Sequence, residues 1–443
     1  MTSRGWVAAW GIAAIVGSAA CAELMAQGGT AEAEAAYLRG EYSKAESGWR
    51  EALLAKDRAG APDPPGRAVL EFNLATALRA EARFDEAEQL YAKALSTREQ
   101  LFGSESPLLA GPLRGLALVR LTMGKLDAAA ALIARVRSIE ARTPVARAEQ
   151  GDTELVSATI LFRQGAVAES QARATDALHL LEGGGARYTP SRIEVLSLLG
   201  LIARSKSNYR AAEEYYNSAL AALADSGALS HPDRAVVWNN LGQVKLAEGR
   251  WREAESLFQR AIALWTNVYG PEHPDVASGL TNLAMVYGKR KRYATAEGLL
   301  RRAIAIHTRS GGAESSKVAL DWNNVGYLKM RQGSFHVAEM AFRVSLRIYE
   351  RTLGPEHPDT AQELENLAMA CVAQKRYADA TPLLARAVAI RERRPGPQDT
   401  ELGELLETYA RVLRIDESYA RAAEVEARAM RIRVQALIHK SEQ

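Results

Sequence analysis

Three sets of residues have the types and spacing to do chemistry. The string GPEHPD stands at 270–275 and again at 354–359, and a further HPD stands at 231–233. Imidazoles beside carboxylates are ligand types for zinc, so Glu272 with His273, and Glu356 with His357, have the composition of a metal box. The second set is amides: Asn73, Asn240, Asn282, Asn324 and Asn366 each precede a Leu or Val. A primary amide both donates and accepts, which suits it to pairing with a peptide backbone without reading side chains. The third is a basic run, Lys289-Arg290-Lys291-Arg292, either a solvated turn or an attraction for anionic groups. Enzyme signatures are missing: the sequence has no GxxxxGK[ST], HExxH or GxSxG, and no lysine follows Gly183 to Gly185 as a phosphate cradle requires. Its acidic residues are scattered over helix faces, with no sign of the desolvated pocket that shifts a pKa. The chain is therefore read as non-catalytic, with no cofactor and no metal.

The spacing decides between these chemistries. The two GPEHPD copies lie 84 residues apart, and the HPD at 231 lies half that distance, 42 residues, before the HPD at 273. Asn-Leu or Asn-Val before a small residue keeps the same step at 240–242, 282–284, 324–326 and 366–368. Carried outward, the ruler finds an aromatic or aliphatic residue at Tyr42, Phe84, Leu126, Val167 and Tyr209, then at Trp251, Tyr293, Phe335, Tyr377 and Tyr419. One residue is missing between Leu126 and Val167, and three places after each marker comes Ala or Ser. Ten units fill the chain, and a fixed period of this length means stacked supersecondary units. Within each, two stretches show apolar residues three and four apart, such as Val276, Leu280, Leu283 and Tyr287, so each unit is a helical hairpin. Neither hairpin face can be buried alone, so the hairpins stack.

A histidine ladder in such a stack cannot close on one ion. Equivalent loops are displaced by roughly 10 Å, the helix-packing distance, against metal–nitrogen bonds of about 2 Å. Position 315, the middle rung, is Ser. HPD is also the tripeptide of J-domain co-chaperones, but there it belongs to one short hairpin and here it recurs in phase. GPEHPD reads instead as a joint, with glycine ending one helix and proline opening the next beside an acid. Gly200, Gly242 and Gly326 sit inside helices, where glycine costs roughly 1 kcal/mol, and are expected at close helix approaches. Tyr293 and Tyr377 are expected to be large buried aromatics whose truncation costs about 3 to 5 kcal/mol.

The small residue at Gly242, the aromatic at Trp251 and the alanine at Ala254 make the chain similar to the tetratricopeptide repeat family. The 42-residue period, the NLA core and GPEHPD resemble the long repeats of kinesin light chains and their bacterial relatives. The resemblance covers roughly 31 to 439. It is weakest in 105 to 182, where Gly115-Leu116-Ala117 and Val156-Ser157-Ala158 replace the Asn form. It implies an all-α, right-handed superhelical solenoid of about ten antiparallel hairpins that binds a peptide or protein segment in a concave groove. The groove residues it implies are Asn73, Asn240, Asn282, Asn324 and Asn366, bordered by Asn239, Gln243, Asn323, Tyr327, Lys289 and Arg331. Those amides either hold a ligand backbone or brace neighbouring helices.

Residues 1–26 read as an export leader, with Arg4, an apolar stretch from Trp6 to Val16, and small residues after it. Either ordinary cleavage follows, or Ser18-Ala19-Ala20-Cys21 serves as a lipobox and Cys21 is lipidated. The rest divides into a block at 31–182, a glycine-rich loop at 183–191, a block at 192–400, and a degenerate repeat and cap at 401–443 with a polar HKSEQ end. Charged residues make up 25% of the chain and the net charge is +3, without the concentrated basic excess of a general nucleic-acid binder. The expected partner is a protein or peptide. The expected location is a bacterial envelope or periplasm, with membrane contact only through a lipid on Cys21. The alternative role is a structural envelope lipoprotein that assembles secretion, pilus or outer-membrane machinery.

Overall fold

A computed structural model describes residues 30–60, 63–185, 188–225, 231–393 and 400–441. The leader and Cys21 lie outside the described residues. Within them the chain is helical, in ten hairpins. These are α1 (Ala31–Leu38) with α2 (Tyr42–Ala59), α3 (Pro64–Ala80) with α4 (Phe84–Phe102), and α5 (Ala110–Thr122) with α6 (Leu126–Arg142). Next come α7 (Arg147–Arg163) with α8 (Val167–Leu181), α9 (Thr189–Ser205) with α10 (Tyr209–Asp225), and α11 (Asp233–Ala247) with α12 (Trp251–Tyr269). The last four are α13 (Pro274–Lys289) with α14 (Tyr293–Gly311), α15 (Ser316–Gln332) with α16 (Phe335–Thr352), α17 (Pro358–Ala373) with α18 (Tyr377–Glu392), and α19 (Thr400–Ile415) with α20 (Tyr419–Ser441). A 3-10 turn, Pro107–Leu109, leads into α5. Among the described residues no helix is long and apolar enough to cross a membrane.

Every periodic marker, from Tyr42 to Tyr419, opens an even-numbered helix. Two residues before each marker the backbone turns left-handed, at Gly40, Ala82, Gly124, Gly165 and Ser207, then at Gly249, Lys291, Gly333, Lys375 and Glu417. Lys291, inside the basic run, therefore belongs to a tight turn. The small residue three places after the marker is fully buried in all ten hairpins. Apart from Tyr42, which is buried, the markers are not the core aromatics. Tyr293 and Tyr377 are only half-buried and Trp251 is exposed, because the first residue of a helix sits at the rim of the hairpin. The buried large residue comes seven places later, at Trp49, Tyr91, Tyr216, Phe258 and Phe342, with Leu300 and Leu384 in the seventh and ninth hairpins. The full truncation cost expected of Tyr293 and Tyr377 thus moves to these positions.

That buried ring explains the glycines. A Cβ at Gly200 would lie 2.7 Å from Cε1 of Tyr216, and one at Gly242 would lie 2.7 Å from Cε1 of Phe258. Gly326 meets the ring of Phe342 in the same way. Where the partner is Leu300 or Leu384, the odd helix carries Ala284 or Ala368 instead. In these five hairpins volume is traded across the pair, as close packing demands.

The joints are capped. His273 and His357 accept through Nδ1 from the backbone N–H of Asp275 and Asp359, at 3.2 Å in both, and His231 accepts from Asp233 N–H at the same distance. At the position where Ser stands, Ser315 Oγ accepts from Val318 N–H at 3.4 Å. One role, satisfying an orphan N–H at a helix start, is shared by His231, His273, Ser315 and His357.

The chain packs as two compact units that divide between Pro271 and Glu272, and the 183–191 segment falls inside the first. The first unit holds six hairpins. Its first hairpin meets its sixth: Tyr42 stacks on Tyr269 at 6.1 Å, its ring edges His231 at 6.3 Å, and Gly40 abuts Pro232. Its odd helices are consequently enclosed. In α3 every residue from Ala68 to Arg79 is buried, and in α9 so is every residue from Ile193 to Ala203. The buried Arg79 guanidinium lies among Tyr37, Tyr91 and the Glu194 carboxylate. The second unit holds the last four hairpins.

Candidate functional site

The two units treat the expected groove residues differently. In the first, Asn73, Asn239, Asn240 and Gln243 are all buried in helices enclosed by the unit's own side chains. Around them the other residues of these helices are largely buried too, as along Ala68 to Arg79 of α3. In the second unit the amides are also buried, at Asn282, Asn323, Asn324 and Asn366, but they stand beside exposed neighbours.

Those neighbours form columns at the 42-residue step. On α15 the helical turn places Leu320, Asn324, Tyr327 and Arg331 on one face, and Tyr327 is 38% exposed. One repeat earlier the same face of α13 carries Ser278, Asn282, Met285 and Lys289, and one repeat later α17 carries Gln362, Asn366, Met369 and Ala373. Met285 and Met369 are half-buried, and Lys289 and Arg331 are exposed. On α19 the residue in phase with Met285, Tyr327 and Met369 is Arg411, which is exposed. The result is an apolar line, Met285–Tyr327–Met369, with cations at Lys289, Arg331 and Arg411. Neither Lys289 nor Arg331 forms a side-chain ion pair among the described residues.

Tyr327 is held in place. Its hydroxyl donates to Asn366 Oδ1 at 2.9 Å, and its ring stands edge-on to Phe342 at 5.7 Å and 88°. Burial, with Glu363 and Glu365 nearby, pushes its phenol up to about 12, so the hydroxyl stays protonated and able to donate. Asn366 Nδ2 in turn donates to Asn323 Oδ1 at 3.5 Å, across from α17 to α15. Asn323 and Asn366 therefore brace adjacent hairpins. Asn324 differs, since its buried Nδ2 has no acceptor. The basic run splits too: Lys289 ends α13 on the open face, whereas Lys291 is consumed by the turn.

Beneath this face lies a buried polar seam between hairpins. His307 Nδ1 is 2.7 Å from Asp321 Oδ2, its Nε2 is 3.1 Å from the Pro274 carbonyl, and Thr281 donates to Asp321 Oδ1 at 2.7 Å. One repeat on, the place of Asp321 is taken by Glu363, buried near Ser345 and Asn366. No substrate reaches either carboxylate, both being about 1% exposed, so the seam joins hairpins and offers no reacting group.

Sequence reasoning missed Met285, Met369 and Arg411. The signal was present: stepping 42 residues either way from Tyr327 gives both methionines, and a further step gives Arg411. The asparagines drew attention because their identity repeats, whereas the open column keeps its position and varies its side chain.

The fold is that of a helical-hairpin repeat protein. The tetratricopeptide repeat model matches residues 66–139, 233–309, 318–393 and 363–433, more than half of the chain. The chain belongs to the tetratricopeptide repeat family, and its repeats support a protein-interaction scaffold in a family that is generally non-catalytic. Among solved structures, it is similar to BtubC (BKLC) from P. vanneervenii, with 24% identity over 52% of this chain and 93% of that one, TM-score 0.42. A Podosopora anserina putative kinesin light chain with nearly identical TPR-like repeats aligns at 21% identity over 46% of this chain and 97% of that one, TM-score 0.41. The apo form of RapI aligns at 13% identity over 85% of this chain and 98% of that one, TM-score 0.49. No curated protein matches the chain.

Proposed function

We propose that the protein is a non-catalytic scaffold that holds an extended segment of a partner protein on the open face of α13, α15 and α17. One observation carries this reading: the second unit exposes the in-phase column Met285–Tyr327–Met369 beside unpaired cations, while the odd helices of the first unit are enclosed. The chemistry follows from the column. Thioethers adapt to varied apolar side chains, and a rigid, hydrogen-bonded tyrosine supplies an anchor with little entropy left to lose. Lys289, Arg331 and Arg411 favour an acidic side chain or a terminal carboxylate. Exposed ion pairs contribute only about 0.2–1 kcal/mol each, so they select rather than anchor, and binding weakens with salt. The double reversal Lys289→Glu with Arg331→Glu tests this on two exposed residues. Partner affinity should drop at least about tenfold with the melting temperature unchanged; unaltered affinity would count against this face.

The location we infer is the cell envelope, on the strength of the leader at 1–26. The segment Ser18-Ala19-Ala20-Cys21 favours the second reading, a lipoprotein with an assembly role. Cys21→Ser should then release the protein from membranes, and unchanged fractionation would dismiss lipidation.

A further inference from the structure

The last helix has two apolar faces. One, with Ala422, Val425 and Ala429, is buried in its own hairpin. The other runs along Tyr419, Ala423, Ala427, Met430 and Val434, spaced by four, four, three and four residues, so that they form a single stripe. Tyr419, Met430 and Val434 are 64%, 59% and 45% exposed. In the eighth and ninth hairpins the position of Met430 is held by Leu346 and Val388, which the following hairpin covers to 9% and 4% exposure. The positions of Ala423 lie at the same contact, where Glu297 of α14 pairs with Lys329 of α15 at 2.7 Å and Thr381 of α18 reaches Asp416 after α19. The stripe is thus the stacking face of a repeat, continued onto the last hairpin.

We propose that a second copy of this chain covers the stripe, with α20 packed antiparallel on α20 about a twofold axis near Ala427. The sequence of the stripe is complementary to its own reverse. An antiparallel pair sets Ala427 against Ala427, Ala423 against the partner's Met430, and Tyr419 against the partner's Val434. Small residues meet large ones and the helices can approach closely. The charges agree with this arrangement. Along the rim, Glu426 is paired with Arg414, Arg428 with Glu392, and Arg433 with Glu407, all within the chain. Glu424 and Arg431, on the same side of the stripe, form no ion pair among the described residues. The antiparallel pair brings each Glu424 to the partner's Arg431, twice by symmetry.

Sedimentation velocity of the full chain across roughly 1 to 100 µM tests the proposal. The expected result is a concentration-dependent dimer. Met430→Glu and Glu424→Arg should each raise the dimer dissociation constant at least about tenfold, and Glu424→Arg combined with Arg431→Glu should restore it. Far-UV circular dichroism guards against misfolding, and the restoring double variant keeps the test decisive if Met430→Glu fails to fold. A monomer throughout that range would overturn the proposal and assign the stripe to another occupant. So would a dimer indifferent to Glu424→Arg, or one that the double reversal fails to restore.

Discussion

Glu363 is a carboxyl inside α17 that burial pushes up to about 8, the bond from Ser345 offsetting only part of the effect. Folded, it keeps its proton through the neutral range; unfolded, it releases it near its ordinary 4.5. Between those values the unfolded chain binds fewer protons, so stability falls as pH rises from about 4.5 to 8 and levels off above that. Glu363→Gln removes this titration. The melting temperature of the Gln variant relative to the parent should therefore climb between pH 5 and 8.5; a difference that stays flat with pH would show that the carboxyl is not protonated in the fold. His273 shifts the other way, burial lowering its pKa, which keeps Nδ1 free to accept from Asp275 N–H. The histidines that looked like metal ligands thus work as helix caps. The sequence carried that answer at Ser315, which shares with histidine a side-chain acceptor and shares little zinc affinity.

At the scale of the helices, the period made most of the architecture legible. Ten hairpins, their joints and the first residue of every even helix follow from a 42-residue step. What the step could not reveal is which large residue is buried, since Tyr293 and Phe258 look equally suitable until the helix is built. The inner residue is identified by its pairing: Gly242 with Phe258, Ala284 with Leu300. Substituting Gly242→Ala should cost about 1–3 kcal/mol through overlap with the Phe258 ring. In a Phe258→Leu background, which reproduces the seventh hairpin's pair, the same substitution should cost less, with a coupling of about 0.5–3 kcal/mol. Strict additivity in urea denaturation would mean that the glycine is there for another reason. Burial of the asparagines was illegible for a related reason. An amide's identity does not say whether its acceptor is a ligand or the next helix, and Asn366 found Asn323 and Tyr327.

At the scale of the molecule, two units of one repeat type have different surfaces. Six hairpins enclose their odd helices because the turn at Gly40 meets Pro232, a residue far along the chain that no periodic pattern announces as a neighbour. Four hairpins leave the corresponding face open, and there the in-phase residues are methionine, tyrosine and cations. The proposed partner capture is accordingly placed on the second unit alone. The most direct measurement is photocrosslinking in the native cell. A photoreactive residue is placed singly at Met285, Tyr327 or Met369 on the open face, or at Val337 or Met340, which α16 exposes on the other side. The account predicts that one partner protein is captured from all three open-face positions and from neither control. Capture from Val337 and Met340 with none from the column would contradict it and favour assembly through the outer helices.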